Sequence, residues 1–236
     1  MTADLKDAEI DVALTAFRDD VFSTSLGTRH TERSGLAARV VDSWKDMRAA
    51  TRRLIEENPS EGRLLFYILL SDMIFFLSWS LKAVVAPSSA AQNMLPAEIG
   101  LILIGALFMR TFSVYMFSIL LWVIAKVFGG NGSARDTRAG VFWGSFVAAP
   151  FGLFFAVVTV GITSLEHSFP MLQGSLISQA PYWLSLIPFV YFISAGVAEA
   201  HQFKFTFPMF AGLTVTAMVL WLLALYLRAN GFFDIG

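Results

Sequence analysis

Five apolar runs, each long enough to cross a lipid bilayer, decide what this chain can fold into. They fall at residues 64–85, 99–128, 139–163, 176–197 and 205–227. A helix needs about 20 apolar residues to span about 30 Å of hydrocarbon. Inside a membrane every backbone N–H and C=O must be bonded within the protein, so runs of this length fold as helices. The expected fold class is an all-α integral membrane protein, with five transmembrane helices in a domain over 64–228 and the lipid bilayer as its first partner.

Composition agrees. Hydrophobic residues make up 56% of the chain and charged residues 15%, against roughly 25% charged in soluble domains. There is no cysteine, which excludes disulfides, zinc–thiolate sites, iron–sulfur clusters and cysteine nucleophiles. The 12 arginines against 5 lysines, with the missing cysteine, point to a bacterial chain. A net charge of −1 gives no basis for a nucleic-acid partner. The interruptions between runs, APSSAAQNMLP, GGNGSARD, EHSFPMLQGS and EAHQFK, carry turn chemistry. Pro150 and Pro188 fall inside spans and read as kinks, which neighbouring helices make tolerable.

The charges are segregated. Residues 1–63 hold 10 of the 17 basic and 12 of the 18 acidic residues. Setting aside Arg110 within the second span, 14 basic residues lie on the N-terminal side of the membrane. Lys82 and Arg228 lie near the other. Basic residues stay in the cytoplasm, so the N-terminus is expected in the cytoplasm and the C-terminus in the periplasm of a bacterial inner membrane. No signal peptide precedes the first run.

The N-terminal region divides at about residue 35. Within 1–34, Ile10, Leu14, Phe17 and Val21 share one face of a short acidic helix, followed by a linker; the rest reads as partly disordered. Residues 35–58 have a helical period. Leu36, Val40, Val41, Trp44, Met47, Thr51, Leu54 and Ile55 fall on one face, with Arg39, Lys45, Arg48, Arg52 and Arg53 on or beside the other. A basic amphipathic helix before a first span is expected in the membrane interface, through Trp44, Arg48, Arg52 and Arg53. The alternative is that it packs on the protein's own loops. The Asn58–Pro59 pair stops it.

The stretch KVFGGNGSARDTRAG (126–140) raises the question of a phosphate loop. A nucleotide-binding loop needs GxxxxGK[ST] between a strand and a helix. Here Gly129, Gly130 and Gly132 follow a membrane span, and no lysine or strand completes the motif. The physical reading is a turn. Gly129 and Gly130 end the second span, Ser133 or Asp136 caps the third, and the arginines face lipid headgroups.

An apolar span, then a GGxGS-type turn with a basic residue, then GVFWGSFVAAPFG with its mid-helix proline, resembles the Ypt-interacting protein (Yip-one domain) family in its bacterial five-span branch. GVAEAHQFKFTFPMF (196–210) is similar to the family's junction between its last two spans. The resemblance covers about residues 55–230. It implies a polar cytoplasmic N-terminus, five clustered spans and a non-enzymatic role. The aromatic-glycine signatures of eukaryotic members are missing near the first two spans, so it implies no GTPase partner. Gly129, Gly130, Gly132, Ser133, Glu199 and His201 carry over as structural turn positions.

Two charges lie within spans, Asp72 in the first and Arg110 in the second. Such charges cost about 2.5–3.5 kcal/mol on insertion scales and normally face a partner or water. At about 1.5 Å per residue, Asp72 lies about 13 Å from Arg63 and Arg110 about 24 Å from Lys126. That mismatch of about 10 Å counts against a direct pair, unless the second span protrudes, Arg110 snorkels or water fills a gap. The bland reading is Arg110 bonded to carbonyls and hydroxyls of its neighbours. The sharp one is a candidate intramembrane polar site on a solute or ion pathway.

The pairs Glu166–His167 and Glu199–His201 lack a third metal ligand nearby and read as solvated turns. Trp79, Trp143, Trp183 and Trp221 fit an aromatic belt. The GSF at 144–146 lacks the second glycine of a nucleophile elbow. No cofactor or catalytic residue is expected. The sequence favours a non-enzymatic protein that binds or organises other membrane proteins or lipids, or self-associates. The alternative is a small transporter or channel component using Asp72 and Arg110.

Overall fold

A computed structural model describes residues 35–85, 96–165, 168–169 and 175–230. The proposed acidic helix around Ile10–Val21 and the Glu166–His167 pair lie outside the described residues. The chain divides into two compact units, Met1–Val41 and Asp42–Gly236. Of the first, only 35–41 are described, and they open helix α1.

Seven helices and no strands occur among the described residues. They are α1 (Leu36–Lys45), α2 (Met47–Glu56), α3 (Glu61–Val85), α4 (Pro96–Val127), α5 (Ala134–Leu165), α6 (Ser175–Ala200) and α7 (Phe207–Ala229). The last five are long and apolar enough to cross a membrane, so this is an integral membrane protein.

The predicted single helix over 35–58 is instead two. Asp46 has extended backbone, and its carboxylate accepts from the Ala49 N–H, making it the N-cap of α2. Helical period alone does not see the break, because both pieces keep their apolar faces in phase. The α2 face of Met47, Ala50, Thr51 and Leu54 is buried, against α6 and α5.

Helix α5 is the hub, packing on α2, α3, α4 and α6. Its first half is buried almost without interruption from Ala139 to Ala149. Trp143, expected in the aromatic belt, lies there instead, 1% exposed. Its ring meets Tyr67 edge-on and its Nε1–H donates to Ser43 Oγ. A buried indole N–H needs such an acceptor. Trp79, by contrast, is half exposed.

Gly140 and Gly144 stand four apart on α5, so both face α6. There the two backbones touch. A Cβ on Gly140 would lie 2.6 Å from the Gly196 carbonyl oxygen, and one on Gly144 would lie 2.9 Å from that of Phe192. This small-xxx-small arrangement lets membrane helices approach at backbone distance. Helices α5 and α6 both run on through internal prolines, Pro150 in one and Pro181 and Pro188 in the other. Pro150 offers no N–H to the Phe146 carbonyl. On either side of that carbonyl, Ser145 O accepts from Ser71 Oγ at 3.2 Å and Val147 O accepts from Trp44 Nε1 at 3.0 Å.

The outer helices differ. None of the spanning residues of α7 is buried, and few of those of α4 are. Helix α7 packs on α6, where Trp183 and Trp221 meet edge-on.

Two helices end in the same way. Gly129 has φ +81°, the Gly130 N–H donates to Ala125 O and the Gly129 N–H to Lys126 O. This is the Schellman pattern. At the end of α6, Gln202 takes the glycine's place with φ 58°, and Phe203 and Gln202 repeat the two bonds to Ala198 O and Glu199 O. A left-handed conformation costs a non-glycine residue roughly 1–2 kcal/mol, and a glycine there adds roughly 0.4–1 kcal/mol of unfolded-chain entropy. Gln202 is exposed. Gln202→Gly is therefore expected to stabilise by about 0.5–1 kcal/mol, seen as a higher thermal-shift midpoint in detergent. A lower midpoint would mean that the Gln202 side chain makes contacts worth more than its backbone costs.

Candidate functional site

Two polar constellations bring together residues far apart in sequence. The first lies within the membrane. Asp72, 1% exposed, ion-pairs through Oδ1 with Arg110 Nη1. Its Oδ2 accepts from Thr111 Oγ1 at 2.6 Å. Arg110 Nη2 reaches Ser71 Oγ at 3.4 Å, and Ser71 in turn donates to the Ser145 carbonyl. The guanidinium lies 4.0 Å from the centre of the Phe75 ring. Helices α3, α4 and α5 thus share one polar cluster.

The expected depth mismatch is resolved by helix length. Helix α4 has 32 residues against 25 in α3. Counting from the pair, α4 runs 17 residues to Val127, while α3 runs 11 back to Glu61. The surplus of six residues, about 9 Å, carries the end of α4 past the start of α3. A direct pair, disfavoured on depth, is what forms.

Beside the pair is a cavity of about 270 Å³, walled by Phe75, Phe76 and Trp79 of α3 and Ile102 and Leu107 of α4. Its walls are apolar apart from Asp72 and Arg110.

The second constellation lies at the end of the bundle where α2 sits. Arg48 and Arg52, four apart, share one face of α2. Arg48 Nε donates to Glu199 Oε2 at 2.8 Å and Arg52 Nε to Oε1 at 2.6 Å. Arg48 also gives Nη1 to Lys204 O at 3.0 Å and Nη2 to Phe203 O at 2.7 Å. The fork thus holds the carboxylate and the carbonyls that follow the end of α6, where helix termini leave acceptors free. Arg53, grouped with these by sequence, reaches back to Ala49 O of its own helix instead.

The solvated turn expected at Glu199 and His201 is not what forms. Both are buried, at 8% and 1% exposed. Thr137 Oγ1 is within hydrogen-bond reach of both Ser133 O and, 2.9 Å away, His201 Nε2. His201 Nδ1 is turned to the Gly130 backbone, with no bond of full geometry there. Burial pushes the imidazole pKa down, and the nearby Lys126 charge adds to this. His201 is therefore a neutral structural residue. No group of three metal-ligating side chains occurs among the described residues.

The glycine turn fits against this histidine. A Cβ on Gly130 would strike the His201 ring and lie 2.9 Å from Ala125 O, and one on Gly132 would lie 2.8 Å from the Ala200 carbonyl carbon. Ser133 and Asp136 form a reciprocal capping box, N–H to Oδ2 at 3.0 Å and N–H to Oγ at 3.1 Å. The arginines of this turn, expected to face lipid headgroups, bind protein. Arg135 donates to Pro59 O, and Arg138 pairs with Glu61 at 2.5 Å.

The match to known proteins fits this geometry. Residues 41–231 match the Yip1 domain. The chain belongs to the Yip1 family. The matched stretch takes in α2, all five spans and both constellations of this Yip1 domain. Neither the curated proteins nor the solved structures contain a significant match.

Within the Yip1 domain, Glu199 pins α2 to the α6–α7 turn. Glu199→Ala should leave Arg48 and Arg52 without their carboxylate and so loosen α2 from the α6–α7 turn. Faster amide hydrogen exchange over 47–56, with the spans unchanged, is the expected result. Unaltered protection would show that the apolar face of α2 suffices to hold it.

Proposed function

We propose that this Yip1-family protein is a non-enzymatic component of the bacterial inner membrane that binds or organises other membrane proteins or lipids. The observation that carries this reading is the surface of α4 and α7. Much of α4 and most of spanning α7 leave apolar side chains such as Phe108, Phe112, Met218 and Leu222 turned outward. Exposed apolar surface in a membrane protein is covered by lipid or by another membrane protein. The charged residues around the core, in contrast, are engaged in holding the fold. Arg48 and Arg52 grip Glu199, Arg138 grips Glu61 and Arg110 grips Asp72.

The basic bias of the sequence supports an N-terminus in the cytoplasm and a C-terminus in the periplasm. On that reading the Arg48–Arg52–Glu199 cluster, both turns and α2 face the cytoplasm, and Trp44, 42% exposed, sits in the interface with Lys45 and Arg53. A reporter fused at Gly236 that is active only in the cytoplasm would reverse this orientation.

Purification of the tagged protein from its native membrane in mild detergent, with mass spectrometry of what accompanies it, tests the role. A stoichiometric companion lost on deleting residues 1–34 supports the reading and locates the contact. A lone protein counts against a protein-organising role.

The transport alternative places water along Asp72 and Arg110. Against it, both oxygens of Asp72 are engaged and the adjoining walls are aromatic and aliphatic. In this cysteine-free background, Ala106→Cys is expected to resist a membrane-impermeant thiol reagent. Rapid labelling from either side would restore the pathway reading.

A further inference from the structure

The cavity between α3 and α4 is large enough to hold something. A cavity of about 150 Å³ accommodates benzene, and this one has about 270 Å³. It extends from Asp72 to Trp79 along α3 and from Arg110 to Ile102 along α4. Those are seven and eight residues, roughly 11 Å of helix. Such a slot suits a chain or a flat ring better than a compact solute.

Its charged end sets a second condition. A guanidinium has five N–H donors. Asp72 meets Nη1 as an ion pair, and Ser71 takes one donor through Nη2. The side chain remains about a quarter exposed, beside apolar walls, where acceptors are scarce. Unmet donors in an apolar medium cost several kcal/mol each on hydrocarbon scales. An occupant with an acceptor oxygen would satisfy them. An anion would leave the cluster with net negative charge within hydrocarbon, since Asp72 already neutralises Arg110. A cation would meet the guanidinium.

We propose that this cavity binds an uncharged, membrane-dissolved amphiphile, its apolar chain along Phe76, Trp79 and Ile102 and an acceptor such as an ester carbonyl on Arg110. This rests on the binding role proposed above and gives that role a ligand class. It leaves protein partners on α7 and at the N-terminus as a separate question. Failure to label the cavity would not touch them, and a lone protein in the purification would not touch the cavity.

The test uses the full-length protein reconstituted in phosphatidylcholine vesicles. Two photoactivatable probes of equal length are compared, a diazirine-bearing long-chain methyl ester and the corresponding diazirine-bearing alkane. Cross-linked peptides are mapped by mass spectrometry, with and without unlabelled ester as competitor. The ester is expected to label 72–79 and 102–110 saturably. It should half-saturate at about tenfold lower concentration than the alkane, the effect of one hydrogen bond to a charged donor. Ala106→Trp, which fills the slot, should abolish the saturable labelling. Met218→Trp, on the outer face of α7, should leave it intact. Equal saturation by both probes would overturn the acceptor contact with Arg110. Labelling of the wild-type protein that no competitor displaces, or that spreads evenly over the lipid-facing helices, would overturn the site itself.

Discussion

Gly140→Leu is expected to produce a large loss of stability at the α5–α6 interface. The added side chain has nowhere to go. Its first carbon already falls 2.6 Å from Gly196 O and 2.7 Å from the Gly196 carbonyl carbon, and these are backbone atoms that no rotamer change removes. The helices must separate or slide. Both belong to the buried centre, with Val141, Phe142, Val147, Ala195, Val197 and Ala198 all nearly inaccessible. Separation therefore loosens contacts along several turns. Overpacking costs about 1–3 kcal/mol where side chains can yield. A backbone clash at a packed helix pair should reach the upper end or exceed it. The fold supplies its own controls. Gly105 and Gly161 sit in spanning helices, and a Cβ on either would meet no atom within 4 Å. Leucine at either should shift the melting midpoint little. Gel filtration after a heating series reads all three variants. Equal midpoints for Gly140→Leu and Gly161→Leu would show that α5 and α6 do not depend on close approach.

The five spans are legible in the sequence because hydrocarbon thickness imposes a length that composition reveals directly. Their ends are less so. Hydropathy begins the third span at 139, whereas helix α5 starts at Ala134. Hydropathy marks where apolar surface begins, and the Ser133–Asp136 capping box marks where the helix does. Four of the five extra residues are polar, and all five are helical. The glycines at 129, 130 and 132 read as turn formers from sequence, which is the right type of answer with an incomplete reason. Only Gly129 needs its positive φ, while Gly130 and Gly132 leave room for His201 and Ala200.

Burial of Glu199 and His201 is not legible. Nothing within EAHQFK announces that Arg48, 151 residues away, will reach it. Arginines spaced i, i+4 on a helix read equally well as headgroup contacts, and only tertiary packing selects between lipid phosphate and a carboxylate. The close-packing motif is different. Gly140 and Gly144 display the small-xxx-small spacing in plain view, and it is the partner, Gly196, that needs the fold. Asp72 and Arg110 pair because α3 and α4 do not end at the same depth. Residue spacing sets positions along each helix, and the offset between helices is set by packing.

That pair carries the second large effect, and its two halves are not equivalent. Asp72→Leu leaves Arg110 in hydrocarbon without its counter-charge. Removing one partner of a buried pair typically costs about 3–5 kcal/mol. A guanidinium cannot escape by losing its proton. Partial exposure of Arg110 lets it snorkel or draw in a water defect, which holds the expected cost near the lower figure. Arg110→Leu strands Asp72 instead, but a carboxyl group can take up a proton and become neutral, and Thr111 still donates to it at 2.6 Å. The Arg110 variant should therefore be the milder of the two. Replacing both residues by leucine removes two charges from an apolar setting and leaves neither unpaired. Such replacements are often neutral or stabilising, so the double variant is expected to melt at or above the wild-type midpoint. A coupling energy of at least about 2 kcal/mol between the two sites should follow. Single effects that simply add in the double variant would mean that Asp72 and Arg110 are each held by other groups, and that the ion pair is incidental to the packing of α3 against α4.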